Sequence, residues 1–146
     1  MTSARVGVIG GGSWGTTLAH LAAVAGSDVT LWVRSDAVRD RINAEHRSPA
    51  YTGETELHAG AVATTEMGEI RGCPLILVVV PSQAFRGVAA ALGDHIDGSH
   101  LVVHATKGLE RETDLRMSEV LMQETCCRKI GALAGPNLSA EILAGE

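Results

Sequence analysis

Aromatic residues are scarce in this sequence, which holds one Phe, one Tyr and two Trp among its 146 residues. A ligand must therefore be held mainly by backbone amides and polar side chains, since few rings are available for stacking. Cysteines are scarce as well: Cys73 lies alone in an apolar stretch, and Cys126 and Cys127 are adjacent. This arrangement fits neither the C-x-x-C spacing of a zinc site nor an even disulfide framework, so we interpret all three as ordinary thiols.

An excess of basic residues and long apolar runs are also lacking. The 12 Lys and Arg residues are outnumbered by 17 Asp and Glu, which gives a formal net charge of −5. Because no basic block could follow a phosphate backbone, we expect no binding to nucleic acid. The longest strongly apolar run, 74–81, is far shorter than the ~20 residues that cross a bilayer, and the N-terminus lacks the pattern of an export signal. We therefore expect a cytoplasmic chain without a membrane span.

What is present is a regular alternation of apolar strands and helix-period segments. With 45% hydrophobic and 20% charged residues, the composition predicts one globular domain over 1–146. Helix 14–25 should turn Trp14, Leu18, Leu21, Ala22 and Ala25 inward. Further helices are predicted after a Ser35 cap, at 85–96, at 113–123 and, as a short one, near 137. Strands are predicted at 6–9, 28–33, 61–64, 75–80, 101–103 and 130–134. This order predicts an α/β fold, a Rossmann-like doubly wound domain with a mostly parallel sheet.

A glycine-rich turn follows the first predicted strand and opens the first predicted helix. It matches G-x-G-x-x-G, the pattern of a dinucleotide site, in the structural context that this chemistry requires. The first glycine permits the tight turn, the second lets the backbone approach a pyrophosphate, and the third allows close helix–strand packing. The alternative is a turn that needs glycine for steric reasons only. The candidate coenzyme residues here are Gly10, Gly11, Gly12, Ser13, Trp14 and Gly15.

Arg34 stands at the end of the second strand, where an acidic residue usually binds the ribose 2′-hydroxyl of NAD. A guanidinium there can pair with a 2′-phosphate or stack on adenine, so we expect NADP to be accepted, alongside NAD. The alternative is a solvated arginine at a strand end.

Three further segments, 81–83, 105–110 and 135–139, follow strands, where open α/β sheets place their ligands. Lys107 suits an anionic or hydroxyl-bearing ligand, although on this position alone a solvated loop lysine is the favoured interpretation. The residues 135–137 could equally form only a turn and a helix cap. No histidine pair has the H-E-x-x-H spacing, so we expect no metal site.

Six blocks, taken together, carry a more specific similarity. They are GGGSWGTTLA at 10–19, LWVR at 31–34, IN at 42–43, VVVPSQAF at 78–85, ATKGLE at 105–110 and GPNLSAEI at 135–142. Through them the sequence resembles the N-terminal coenzyme-binding part of the bacterial-type NAD(P)-dependent glycerol-3-phosphate dehydrogenases. The first block is typical of any Rossmann domain, whereas ATKGLE and GPNLSAEI are much more specific.

The resemblance implies a reaction and a set of contacts. The reaction is hydride transfer between dihydroxyacetone phosphate and sn-glycerol 3-phosphate, which feeds glycerophospholipid synthesis. Lys107, Gly135 and Asn137 would contact this substrate, although Asn137 stands where serine or threonine is frequent in the family. Ser139 stands where alanine is common. The coenzyme would be bordered by the glycine turn together with Ser13, Trp14, Arg34, Ser35, Lys107 and Ser139.

The resemblance also implies a later helical domain that supplies the catalytic lysine, and the chain is expected to end before it. We therefore assign no catalytic residue within 1–146. Two other functions stay open: a non-catalytic NAD(P)-binding fragment, and a dehydrogenase of another hydroxy acid. The oligomeric state is open too, with a homodimer considered for a full-length form. If the sheet needs later strands, strand 130–134 would be an exposed apolar edge that favours self-association.

Overall fold

Strands and helices alternate along the chain in a computed structural model. The structure describes residues 2–48, 52–135 and 138–145. Within these ranges the strands are β1 (Arg5–Ile9), β2 (Asp28–Trp32), β3 (Ala61–Thr64), β4 (Leu75–Val78), β5 (Leu101–His104) and β6 (Lys129–Ala132). The α-helices are α1 (Ser13–Val24), α2 (Asp36–Glu45), α3 (Ser82–Gly93), α4 (Met117–Glu124) and α5 (Ser139–Leu143), and a 3₁₀ helix spans Met67–Gly72. Among the described residues, none of the helices has the length and apolar character that a membrane crossing requires.

The six strands form one sheet in the order β3-β2-β1-β4-β5-β6, and every neighbouring pair is parallel. The chain builds outward from β1 to β3 and then crosses back to β4, so the strand order reverses between β1 and β4. Val8 of β1 is in register with Leu31 of β2 on one side and Leu77 of β4 on the other. Such a reversal opens a crevice at the carboxyl ends of the strands, where ligands bind in this class of fold. The predicted doubly wound α/β fold is confirmed.

Two hydrophobic clusters cover the two faces of the sheet. Alternate residues of a strand point to opposite faces, and Val8 and Ile9 accordingly belong to different clusters. On the face of Ile9, α3 and α4 pack with residues that include Phe85 and Leu121. On the face of Val8, α1 and α2 pack with Ala19, Ala23 and Ile42. Burial on both faces explains why β1 and β4 are nearly uninterrupted apolar runs.

Several predicted boundaries were wrong at the carboxyl ends of elements. Strand β4 ends at Val78, two residues before the predicted 80, and β6 runs from Lys129 to Ala132 and not over 130–134. Helix α3 ends at Gly93, three residues before 96, where a Cβ would lie 2.3 Å from the carbonyl oxygen of Glu124. Strand β3 matches its prediction, and the 3₁₀ helix was not predicted.

The inward face of α1 also differs from the prediction. Leu18 is buried as expected, but Trp14 is only half-buried and Ala25 is exposed. Thr16 and Thr17 are buried in their place, because their hydroxyls donate to the carbonyl oxygens of Gly11 (3.2 Å) and Ser13 (2.8 Å). The buried residues of α1 are Gly15, Thr16, Thr17, Leu18, Ala19 and Ala23.

Candidate functional site

The turn between β1 and α1 needs glycine at two positions for the fold itself. Gly10 has a φ of 123°, and a Cβ there would lie 2.0 Å from the carbonyl oxygen of Val79. Its N–H donates to the carbonyl of Trp32 at 3.0 Å. A Cβ on Gly15 would lie 1.9 Å from the carbonyl oxygen of Gly10. The two glycines therefore let α1 begin directly against the ends of β1 and β4.

Gly12 differs from its neighbours in the turn. Its φ of −73° is open to any residue, and a Cβ there would meet nothing within 4 Å. The first turn of α1, which follows it, has no side-chain cap. Helix N-termini with uncapped N–H groups attract anions, because these groups and the helix dipole present partial positive charge. Gly11 is more confined, since a Cβ there would lie 2.6 Å from a methyl group of Val33.

A cleft of about 360 Å³ lies at the carboxyl ends of the strands, in front of this turn. Lys107 is the one charged side chain among its described lining residues. The sequence had indicated the glycine turn and the three segments 81–83, 105–110 and 135–139, all of which contribute lining residues, but not Leu133, which was assigned to a strand. The complete lining is Gly12, Trp14, Gly15, Val79, Val80, Pro81, Ser82, Ala105, Thr106, Lys107, Leu133, Ala134, Gly135 and Ser139.

The cleft brings together six of the candidate residues from three separate parts of the chain: Gly12, Trp14, Gly15, Lys107, Gly135 and Ser139. Gly10, Gly11 and Ser13 belong to the turn behind it. Arg34 and Ser35 lie beyond its lining, at the carboxyl end of β2, and Asn137 lies outside the described residues.

Ser35 has a structural role at this end of β2. Its hydroxyl accepts a hydrogen bond from the Val38 N–H at 3.5 Å and so caps α2, as predicted. Arg34 is exposed, and among the described residues its guanidinium makes no ion pair or hydrogen bond. Both side chains are therefore accessible from the same edge of the sheet.

The loop that carries Lys107 is held at both ends. The Thr106 hydroxyl donates to the carbonyl oxygen of Val80 at 2.6 Å. Glu110, 7% exposed, accepts two hydrogen bonds from Arg86, each of 2.7 Å, and one from the Thr113 hydroxyl at 2.6 Å. These bonds lower the pKa of Glu110 to about 2. Lys107 is thus an exposed cation on an ordered loop.

His104, at the end of β5, is half-buried and is not among the lining residues of the cleft. Its ring meets that of Phe85 edge to face, with centroids 6.0 Å apart. Burial lowers the pKa of this imidazole. Within the described part of the chain, no group of three or more His, Cys, Asp or Glu side chains could hold a metal ion.

Comparison with known proteins agrees with this arrangement. A family model described as the N-terminus of NAD-dependent glycerol-3-phosphate dehydrogenase matches residues 5–146. A glycerol-3-phosphate dehydrogenase [NAD(P)+] from Corynebacterium urealyticum is 38% identical over 145 residues, which cover 97% of this chain and 44% of that protein. One from Corynebacterium diphtheriae is 41% identical over 141 residues and covers 94% and 43%. This chain thus spans less than half the length of the curated relatives it matches.

A crystal structure of glycerol-3-phosphate dehydrogenase from Coxiella burnetii has the same architecture. It superposes with a TM-score of 0.89 at 29% sequence identity, over 97% of this chain and 44% of that one.

Proposed function

Because the chain belongs to the family of NAD-dependent glycerol-3-phosphate dehydrogenase N-termini, we propose that its cleft binds NADH or NADPH. The bound coenzyme would serve the interconversion of dihydroxyacetone phosphate and sn-glycerol 3-phosphate. The observation that carries the proposal is Gly12, the one glycine of the turn that lines the cleft without being required by the packing around it. A glycine at such a position leaves room for a pyrophosphate against the backbone.

The residues present fit a dinucleotide. The open space at Gly12 and the uncapped first turn of α1 suit the pyrophosphate, because the N–H groups at the start of the helix and the helix dipole attract an anion. Trp14 and Ser139 would border the coenzyme where they line the cleft, while Ser13 would contribute from the turn. Arg34 and Ser35 would meet the adenosine ribose at the end of β2.

The substrate would lie at the side of the cleft formed by Lys107 and Gly135. A lysine ammonium suits the charge of a phosphorylated substrate and can donate a hydrogen bond to its oxygen atoms. Asn137 is proposed as a third contact. The nicotinamide coenzyme supplies the hydride chemistry when bound, and this chain orients it. We assign the proton donor to no residue of this chain.

The proposal is tested by calorimetric titration of the chain with NADPH and NADH. In Gly12→Val the added side chain should occupy the space of the pyrophosphate, and we expect binding of both coenzymes to weaken at least about tenfold. Gly98→Val is the matched control, because Gly98 is also free of neighbours within 4 Å but precedes β5, at the opposite end of the sheet. Equal affinities of the two variants would contradict the proposal.

A turnover assay distinguishes the candidate functions from one another. Oxidation of NADPH that depends on dihydroxyacetone phosphate would support the dehydrogenase on these residues. Binding without turnover would indicate a non-catalytic NAD(P)-binding chain, and turnover with another oxo acid alone would indicate a different dehydrogenase. A cytoplasmic location and a role in glycerophospholipid synthesis are proposals of the same kind. The homodimer of a full-length form stays a prediction, which sedimentation equilibrium would test.

A further inference from the structure

The helix that follows β2 carries a second guanidinium, that of Arg39, five residues after Arg34. Arg39, on the first turn of α2, places Nη1 2.7 Å from Oδ1 of Asp36 and 3.1 Å from the hydroxyl of Thr65. The Thr65 hydroxyl in turn donates to the same Asp36 oxygen at 3.0 Å. Three side chains thus share one closed set of hydrogen bonds.

This set is anchored to the sheet. Thr65 directly follows β3, and its carbonyl oxygen accepts a hydrogen bond from the indole N–H of Trp32, the last residue of β2, at 3.1 Å. The carboxyl ends of β2 and β3 are in register, with Trp32 opposite Thr64. Arg39 therefore reaches the edge of the sheet at which Arg34 lies, and not the amino-terminal edge.

Arg39 is neutralised by two carboxylates. Asp36 binds Nη1, and Asp40 lies 2.8 Å from both Nε and Nη2. The Arg39 side chain is still 33% exposed, so it is close to solvent but its charge is balanced locally. Arg34, by contrast, has no ion pair among the described residues.

We propose that Asp36 sets the coenzyme preference of this chain by holding Arg39 away from a 2′-phosphate, so that Arg34 alone serves that group. The inference rests on the proposed coenzyme binding. A guanidinium that already has two carboxylate partners gains little from a third anion, because binding would require an existing charge-assisted bond to be exchanged. The occupied guanidinium thus weakens NADP(H) relative to NAD(H), which carries no phosphate there.

The test is the ratio of the dissociation constants for NADH and NADPH. We expect Asp36→Asn to raise this ratio about fivefold in favour of NADPH, the size typical of a partly exposed ion pair. Glu45→Gln is the matched control: it removes one negative charge from the same helix, where Glu45 pairs with Arg41 at 3.8 Å and not with Arg39, and it should change the ratio less than about twofold. Circular dichroism establishes that each variant is folded.

The double variant Asp36→Asn/Arg39→Gln identifies the group responsible. If Arg39 is the cation that is released, the double variant should lose the gain of the single one. Titration with adenosine 2′,5′-bisphosphate against adenosine 5′-monophosphate should show the same pattern, since these probes differ only in the 2′-phosphate.

The outcomes distinguish this inference from the proposed function. A ratio unchanged by Asp36→Asn, or an equal change in Glu45→Gln, overturns the inference while coenzyme binding stands. A gain that persists in the double variant also overturns it, because Arg39 would then not be the group involved. If the parent chain binds neither coenzyme, the proposed function fails and this inference fails with it.

Discussion

At the scale of single residues, the glycines of the turn have separate roles that a sequence pattern does not distinguish. Gly10 and Gly15 have no room for a Cβ, whereas Gly12 has ample room on the protein side. The first two are therefore required by the packing of the fold, whereas the proposed coenzyme would account for Gly12. A single motif thus combines a structural reason for glycine with a proposed functional one.

Gly10→Ala should strongly destabilise the chain, because it adds a steric clash with the Val79 carbonyl to the strain of a positive φ. We expect a loss of about 3 kcal/mol in the free energy of unfolding, measured by urea denaturation. Gly26→Ala is the matched control, since Gly26 has a φ of 94° but no neighbour within 4 Å, and it should lose about 1 kcal/mol from backbone strain alone. Equal losses of stability in the two variants would show that the backbone around Gly10 moves to relieve the clash.

The position of Arg34 was predictable from the sequence, but the way in which Arg39 is held was not. Arg34 could be predicted as a coenzyme contact because the predicted strand 28–33 ends immediately before it. The attachment of Arg39 to the edge of the sheet could not be predicted, because Thr65 is 26 residues away and contacts Arg39 only when β3 docks beside β2. The carboxylates of Asp36 and Asp40 are close to Arg39 in the sequence, whereas its contact with the sheet depends on tertiary structure.

At the scale of elements, the segment between β5 and α4 shows why boundaries were misplaced. Helix α4 begins at Met117 and not at 113, because 109–116 forms a turn in which Leu109 pairs with Arg116 and Asp114 has a φ of 57°. The ion pair of Arg86 with Glu110 holds this turn against α3. The helix period of the sequence extends into the turn, but a contact with a distant arginine overrides it.

The ion pair of Arg86 with Glu110 should make the stability of the chain depend on pH. The pKa of Glu110 is lowered from 4.5 to about 2 by its hydrogen bonds to Arg86 and Thr113. The folded chain therefore binds this proton less readily than the unfolded chain. The contribution of Glu110 is fully present above about pH 4.5 and is lost as the pH falls towards 2.

Glu110→Gln should remove this part of the pH dependence, measured as the free energy of unfolding from urea titrations between pH 6 and pH 2, about the range over which paired carboxylates titrate. The variant should be less stable than the parent near neutral pH and approach it in acid. Glu112→Gln, at an exposed position of the same loop, is the control and should follow the parent. A parent-like acid response in Glu110→Gln would contradict the role given to this ion pair.

At the scale of the whole molecule, the sheet has two unequal edges. On the β3 edge, the side chain of Asn43 accepts from the Ala63 N–H at 2.8 Å and donates to the Ala63 carbonyl at 2.9 Å. On the β6 edge, no side chain among the described residues hydrogen-bonds to the backbone of Lys129–Ala132. Asn43 belongs to a block shared with the dehydrogenases, and the structure gives it this protective role, which its position in the sequence did not indicate.

The fold class and the elements that form the cleft were predictable, because buried parallel strands are recognisable in a sequence as apolar runs. The carboxyl ends of such strands meet at one edge of the sheet. The edges were predictable only in part. An exposed apolar edge was expected at 130–134, and the structure has β6 at the edge with Leu133 exposed beyond it. The cover of the opposite edge by Asn43 depends on how α2 docks, which no local pattern specifies.

An uncovered edge strand is a template for pairing with another chain, so we expect this chain to self-associate through β6. Ala132→Lys places a charge at an exposed position of that strand and should weaken the association at least about tenfold, measured by sedimentation velocity over a wide range of concentrations. Val62→Lys introduces the same charge on the β3 edge, at a position 55% exposed, where Asn43 already occupies the backbone. It should leave the association unchanged. Equal effects of the two substitutions would mean that net charge, and not the open edge of β6, governs the association. A parent chain that is monomeric at every concentration would show that β6 does not pair with another chain.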